Sequence, residues 1–213
     1  MDKKRLSFGD FVYYYKWYAI AAVIIIVLVG IFARECSSTI KDDVVVNMLL
    51  STDVSPNCGE DIATDLRNNN IIRDVNGDGI YQAYIDVITV PYTIGSEEDL
   101  TNGMRASIVL ADEEAVLYFV DHDLLEMYED KGFFRSLDEV PDTFWKDSDD
   151  LYIDAKGNAI GISVRGNEYL EQMGISTENL FACFRVSSKG DDNKDYIEKF
   201  SAAGDVYTYI TQG

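Results

Sequence analysis

The chain has one long apolar segment near its amino end. After this segment, short apolar runs alternate with amphipathic segments. Residues Trp17–Ala33 carry no charge, and as a helix they would span roughly 25 Å, near the lower limit for a bilayer core. Aromatic residues from Tyr13 onward suit the headgroup interface. The pattern predicts a transmembrane helix over residues 17–33.

The flanks of this segment predict its orientation. Lys3, Lys4, Arg5 and Lys16 precede it, which places residues 1–16 in the cytoplasm as a tail. Residues 34–42 then form a linker, and residues 43–213 form an extracytoplasmic domain. A cleaved signal peptide is the alternative, but the apolar run is longer than such peptides need. A lipoprotein signal before Cys36 is rejected because Glu35 precedes the cysteine.

Beyond the linker, strand and helix patterns alternate in the order β-α-β-α-β-α. Ser96 with Asp99 and Asn57 with Glu60 have capping-box spacing, and Leu100, Met104 and Ile108 recur on one helix face. These elements are followed by a hairpin, a short helix and a strand. A last helix comes after them and is interrupted at Gly204. The predicted segments, in chain order, are Val44–Leu50, Asn57–Asn68, Tyr81–Val90, Ser96–Leu110, Ala115–Val120, Asp123–Gly132, Leu151–Ile153, Ala159–Val164, Asn167–Met173, Leu180–Val186 and Asp195–Ala203.

Such alternation predicts an α/β fold, namely a three-layer domain with a mostly parallel sheet and right-handed crossovers. Residues 43–213 suffice for one such domain.

The net charge of the chain limits the classes of molecule that it is expected to bind. The net charge is −20, and the excess of acids follows the apolar segment. Such a surface repels phosphate backbones, so no nucleic-acid partner is expected. The acidity either keeps the domain soluble or serves a cationic partner.

Cysteine usage leaves two readings. Cys58 and Cys183 either pair in an oxidising compartment or remain small core residues. The spacing of the cysteines favours the second reading, because it fits no disulfide framework.

One loop resembles half of a calcium site. Asp74, Asn76 and Asp78 occupy positions 1, 3 and 5, Gly79 occupies position 6, and the Ile80 carbonyl would serve at position 7. Position 12 is Ile85 rather than glutamate, and the dipeptides Asn-Gly and Asp-Gly favour the alternative, a tight turn without an ion. Calcium is therefore the one candidate cofactor.

A second candidate site lies where strands end. Asp121, His122 and Asp123 directly follow the third strand, and Tyr92 follows the second. Ligands bind at the carboxyl edge of open α/β sheets, so these four residues are candidate ligand contacts. The alternative is a helix start capped by Asp123.

Catalytic arrangements are missing from the sequence, and we expect no enzymatic activity. A single histidine, His122, restricts triads and metal centres. Gly161–Arg165 begins like a nucleophile elbow but has Arg165 where the second glycine is required.

The stretch from Ala115 through Asp121–Phe133 to Leu137–Val140 resembles extracellular solute-binding proteins of ABC transporters. The Tyr-Tyr-Tyr-Lys-Trp preamble at Tyr13–Trp17 resembles small membrane-anchored proteins of Gram-positive bacteria that carry one such lobe. The resemblance implies a Rossmann-like lobe and a binding or interaction module at the cell membrane. The alternative is an accessory subunit that docks on another membrane protein without a small ligand.

Overall fold

The computed structural model describes residues 18, 20–30, 41–90, 95–112, 114–146, 148, 150–187, 190 and 192–212. The chain forms two compact units, Met1–Ile40 and Lys41–Gly213. In the first unit, residue 18 and residues 20–30 are helical. Among the described residues, no helix combines the length and the apolar composition needed to cross a membrane. Residues 1–17, 19 and 31–40 lie outside the described residues, and they include all of the predicted tail, part of the predicted anchor and most of the predicted linker.

The second unit is a mixed α/β domain, as predicted. Its strands are β1 (Val44–Leu50), β2 (Ala83–Thr89), β3 (Leu117–Asp121), β4 (Leu151–Ile153), β5 (Ala159–Ser163) and β6 (Leu180–Phe184). Its α-helices are α1 (Cys58–Asn68), α2 (Glu97–Ala111), α3 (His122–Tyr128), α4 (Glu168–Gln172) and α5 (Lys194–Gln212). Short 3₁₀ turns occupy Glu129–Lys131, Leu137–Glu139 and Asp142–Phe144.

The six strands form one sheet in the order β2-β1-β3-β6-β5-β4. Strand β1 pairs in parallel with β2 and with β3. The remaining pairs, β3 with β6, β6 with β5 and β5 with β4, are antiparallel. The prediction of a mostly parallel sheet is correct for β1, β2 and β3, whereas β6 enters beside β3 in the opposite direction. The predicted hairpin of β4 and β5 is present.

Helices cover both faces of this sheet, which gives the predicted three layers. On one face, α1 and α5 pack over a cluster that contains Met48, Phe119 and Phe184. On the other face, α2 and α3 pack over a cluster that contains Tyr118, Val120 and Cys183. Strand residues alternate between the two clusters because side chains of a strand point to opposite faces.

The two cysteines in the described residues belong to opposite clusters. Cys58 lies in the α1–α5 cluster and Cys183 in the α2–α3 cluster, and both are buried, free thiols. Burial raises the pKa of the Cys183 thiol, and burial followed by the Asp61 carboxylate raises that of Cys58. The reading as core residues is confirmed.

Two predicted helix starts have different outcomes. Ser96 and Asp99 form the predicted capping box: the Asp99 N–H donates to Ser96 Oγ, and the Ser96 N–H donates to Asp99 Oδ2. At α1, the box predicted for Asn57 and Glu60 is wrong. Asn57 is the N-cap residue, but its side chain makes no capping hydrogen bond; its backbone is in the αR region, which does not aim the side chain as a cap requires.

The apolar face predicted for α2 does not face the core. Leu100, Met104 and Ile108 are exposed, whereas Ala106 and Leu110 are the buried residues of this helix. Periodicity identified a shared face correctly but could not say which face packs on the sheet.

The pause predicted at Gly204 is also wrong, since α5 continues through it. A Cβ atom at position 204 would lie 2.7 Å from Phe144 Cζ. The Phe144 ring stacks on Phe184 at 5.6 Å and meets Tyr207 edge-on at 5.5 Å. Gly204 therefore provides space for an aromatic ring and does not end the helix.

We expect Gly204→Ala to lower the free energy of unfolding by about 1–2 kcal/mol. The added methyl group would press against the Phe144 ring, which Phe184 and Tyr207 hold in place. Gly103→Ala is the matched control in α2. Among the described residues, no atom outside this stretch of the helix lies within 4 Å of the added Cβ, so helix propensity alone should raise stability by about 0.5–1 kcal/mol. Urea unfolding measures both changes, and equal effects would contradict the steric explanation.

The α2 capping box should make stability depend on pH. Hydrogen bonds from the Gly95 N–H and from Ser96 lower the pKa of Asp99. A depressed folded-state pKa adds stability that is present above the unfolded-state pKa and is lost as pH falls through the folded-state value. The melting temperature of Asp99→Ala should therefore approach that of the wild type when both are measured at acidic rather than neutral pH.

Candidate functional site

Three strands bring their ends to the carboxyl edge of β3. Strand β3 ends in Asp121 and leads into α3 at His122, whose N–H donates to the Asn179 carbonyl. Strand β6 begins at this edge because it is antiparallel to β3, and Asp121 pairs with Leu180. Strand β5 ends here as well, with the Val164 N–H donating to the Leu180 carbonyl.

Asp121 is a structural residue at this edge. The residue is 6% exposed, and its carboxylate accepts hydrogen bonds from both the backbone N–H and the hydroxyl of Ser51, which follows β1. Strands β1 and β3 flank the point where the direction of chain winding reverses, the usual position of a ligand crevice. Asp121 thus joins the ends of these strands and is not among the residues that line the nearby groove.

His122 and Asp123 are both exposed and lie within hydrogen-bond distance, with His122 Nδ1 3.0 Å from Asp123 Oδ1. The predicted N-cap role of Asp123 is wrong: the N-cap residue is Asp121, and it makes no side-chain cap. Tyr92, the fourth predicted contact, lies outside the described residues.

An open groove of about 640 Å³ begins at His122 and extends across the face of β4. One wall is α3 with the 3₁₀ turn after it, where His122, Glu126 and Glu129 share a face at helical spacing. Tyr152 and Phe181 form the floor, and their rings meet edge to face at 5.6 Å. The lining residues are His122, Glu126, Glu129, Asp150, Leu151, Tyr152, Ile153, Asp154, Ala155, Arg165, Asn179 and Phe181.

Gly161 makes the floor possible. It lies in β5 opposite Tyr152, and a Cβ atom there would come within 3.1 Å of Tyr152 Cβ and 3.2 Å of Phe181 Cβ. Such contacts are too tight for a well-packed interior, so the glycine allows the two aromatic residues to flank it. The His122 ring adds an edge-to-face contact with Tyr152 at 5.4 Å.

The groove is acidic. Its described lining holds the carboxylates of Glu126, Glu129, Asp150 and Asp154 and one guanidinium, that of Arg165. Arg165 is itself engaged, since its Nε donates to the Glu178 carbonyl and its Nη1 lies 3.9 Å from Asp150 Oδ2. The unbalanced charge favours a positively charged occupant.

Tyr152 connects the floor to the wall. Its hydroxyl donates to Glu129 Oε2 at 2.7 Å. Burial, and then the neighbouring Glu129 carboxylate, raise the pKa of Tyr152. The phenol therefore stays protonated and holds the Glu129 carboxylate at the side of the groove.

Three side chains in the first turns of α3 have metal-binding chemistry. Ligand atoms of His122, Asp123 and Glu126 lie within 4.8 Å of one another. All three residues are exposed, and exposed acidic groups commonly gather without an ion.

The predicted calcium loop folds around its own carboxylates. Asp74 Oδ1 accepts from the Gly77 and Asp78 N–H groups, and Asp74 Oδ2 accepts from Gly79. Asn76 Oδ1 accepts from the Asp78 N–H, and Asp78 Oδ1 accepts from Ile80. The side chains thus perform the turn role that the sequence offered as the alternative, while the calcium hypothesis stays a prediction.

A second groove of about 860 Å³ lies beside this loop. It is lined by Arg67, Ile72 and Tyr81 among others, and it includes the predicted carbonyl ligand Ile80. It lies away from the carboxyl edge, and the described residues of its lining carry no carboxylate.

Sequence reasoning located the edge but missed most of the groove. Glu126 and Glu129 follow His122 by four and seven positions, a helical spacing that could have identified them. Tyr152, Phe181 and Gly161 had no local signal, because they meet only through the pairing of β4, β5 and β6. Comparison with protein-family models, with curated proteins and with solved structures finds no match for this chain.

Asp74→Ala should lower the free energy of unfolding by about 1–2 kcal/mol in calcium-free buffer, since it deprives three backbone N–H groups of their acceptor. Asp78→Ala should cost less, because its carboxylate accepts one such bond. Thermal melting with and without millimolar calcium measures both variants. A loss that appears only after calcium is added would show that the loop is a calcium site.

Proposed function

We propose that this chain is a membrane-anchored, extracytoplasmic binding module whose groove beside α3 holds a cationic ligand. The groove carries the proposal: carboxylates line its wall and ends, and aromatic rings form its floor. Carboxylates attract a cation by charge, and aromatic rings add cation–π attraction where the cation contacts a ring face. A small amine, or a lysine or arginine side chain of a peptide, has the matching chemistry.

The apolar segment 17–33 and the basic residues before it support a single-pass anchor with a cytoplasmic amino terminus and an outward-facing domain. The resemblance to one lobe of solute-binding proteins supports a binding role rather than catalysis. A single lobe lacks the second lobe that encloses a solute, which agrees with a groove open to solvent.

The alternative, an accessory subunit without a small ligand, would be favoured by an apolar surface at the carboxyl edge. The described residues there form a concave groove with convergent polar side chains, and convergent polar groups can fix the orientation of a ligand. This observation favours the ligand-binding function.

Small organic cations should raise the melting temperature of the full chain, because a ligand that binds only the folded state stabilises it. Arginine, spermidine and choline are suitable probes, and glutamate is the anionic comparison. The shift should shrink at higher salt, since exposed charges are screened.

Glu126→Gln and Glu129→Gln should each weaken cation binding about three- to tenfold, measured by calorimetry. Glu198→Gln is the matched control, because this exposed glutamate lies on α5 across the sheet. Equal losses in all three variants would indicate a nonspecific effect of net charge. Binding of glutamate as tight as that of the cations would refute the proposed ligand class.

A further inference from the structure

Helix α2 presents an apolar row to solvent. Leu100, Met104 and Ile108 recur every four residues, and they are 45%, 60% and 67% exposed. Scattered apolar residues are common on surfaces, but a contiguous apolar row marks an interaction site. The row is separate from the acidic groove, because α2 packs chiefly on β2 whereas the groove lies between α3 and β4.

A row of small residues runs beside the apolar row. Gly103, Ser107 and Ala111 also recur every four residues, so a ridge of large side chains borders a shallow furrow. Ridges of one helix pack into furrows of another at a crossing angle of about −50°. The outer surface of α2 therefore has a shape that is complementary to the surface of a second helix.

Gly103 is unexplained by packing within the described chain. It lies in the middle of α2, where glycine costs about 1 kcal/mol relative to alanine. A Cβ atom at this position would have no neighbour within 4 Å among the described residues outside its own stretch of helix, and its φ angle is not positive. Gly103 therefore leaves the helix backbone open to close approach from outside.

The charges around the row are acidic. Glu97 and Glu98 lie at its amino end, and Asp112 follows Ile108 by four residues. The one described cation of this helix, Arg105, is engaged by the largely buried Asp86 at 2.5 Å. A partner that covers the row therefore meets negative charge at both ends.

We propose that the outer face of α2 docks an amphipathic helix of another protein, with an apolar row flanked by lysine or arginine. The apolar side chains would cover Leu100, Met104 and Ile108, and the basic residues would face Glu97 and Asp112. A second copy of this chain fits less well. Two α2 helices paired antiparallel about Met104 would bring Glu97 of each copy towards the acidic carboxyl end of the other, and like charges repel.

The test uses the full chain and a labelled synthetic helix of leucine and lysine, with a leucine and glutamate helix as comparison. Fluorescence anisotropy should show that the lysine helix binds and that Met104→Gln weakens it about tenfold. Ile197→Gln is the matched control, since Ile197 is 51% exposed on α5 across the sheet. It should leave binding within about twofold of the wild type.

Gly103→Ala separates docking from folding. It should raise the melting temperature and yet weaken binding of the lysine helix, because the added methyl group fills the furrow. A variant that fails to fold correctly would instead have a lower melting temperature. Equal losses in Met104→Gln and Ile197→Gln, or equal binding of the glutamate helix, would overturn the proposal. A wild-type dimer in sedimentation equilibrium that Met104→Gln dissociates would also overturn it, since the occupant would then be a second copy.

Discussion

Strand β3 is the constraint on which the rest of the domain depends. All five of its residues are buried, and it hydrogen-bonds to β1 on one side and β6 on the other. It therefore separates the parallel half of the sheet from the antiparallel half. Its sequence, Leu-Tyr-Phe-Val-Asp, supplies bulky side chains to both clusters, which is why helices must cover both faces.

The groove is a consequence of this change of direction. Parallel strands need helical crossovers. The crossover helices α1 and α2 cover opposite faces of the sheet at β1, β2 and β3. The antiparallel strands β4 and β5 are joined by a short hairpin turn that adds no helix, so Tyr152 and Phe181 remain at the floor of a groove beside α3. Short connections thus leave an open groove where the crossover layer stops.

Carboxylates have two different roles in this acidic chain. Buried ones organise the backbone: Asp43 is 2% exposed and accepts hydrogen bonds from Val75, Asn76 and Gln82, which ties the loop after α1 to the start of β1. Exposed carboxylates, such as that of Glu126, make the groove negatively charged. The acidic residues are therefore divided between carboxylates that hold the backbone together and carboxylates that face the groove.

Local patterns in the sequence determined much of the fold. The run Val44–Leu50 is β1 residue for residue, and Ser96 with Asp99 starts α2 as a capping box, because strand burial and helix capping depend on neighbours in the chain. The alternation of elements also predicted the layers. The same patterns identified the carboxyl edge of β3 through Asp121, His122 and Asp123.

Tertiary structure alone decided the orientation of faces and strands. The sequence could not show that β6 enters antiparallel to β3, that Gly204 accommodates the Phe144 ring, or that Leu100, Met104 and Ile108 face solvent. Each depends on contacts between residues far apart in the chain, whereas periodicity records only that residues share a face. For the same reason the floor of the groove, where Tyr152 meets Phe181 across Gly161, exists only once β4, β5 and β6 are paired.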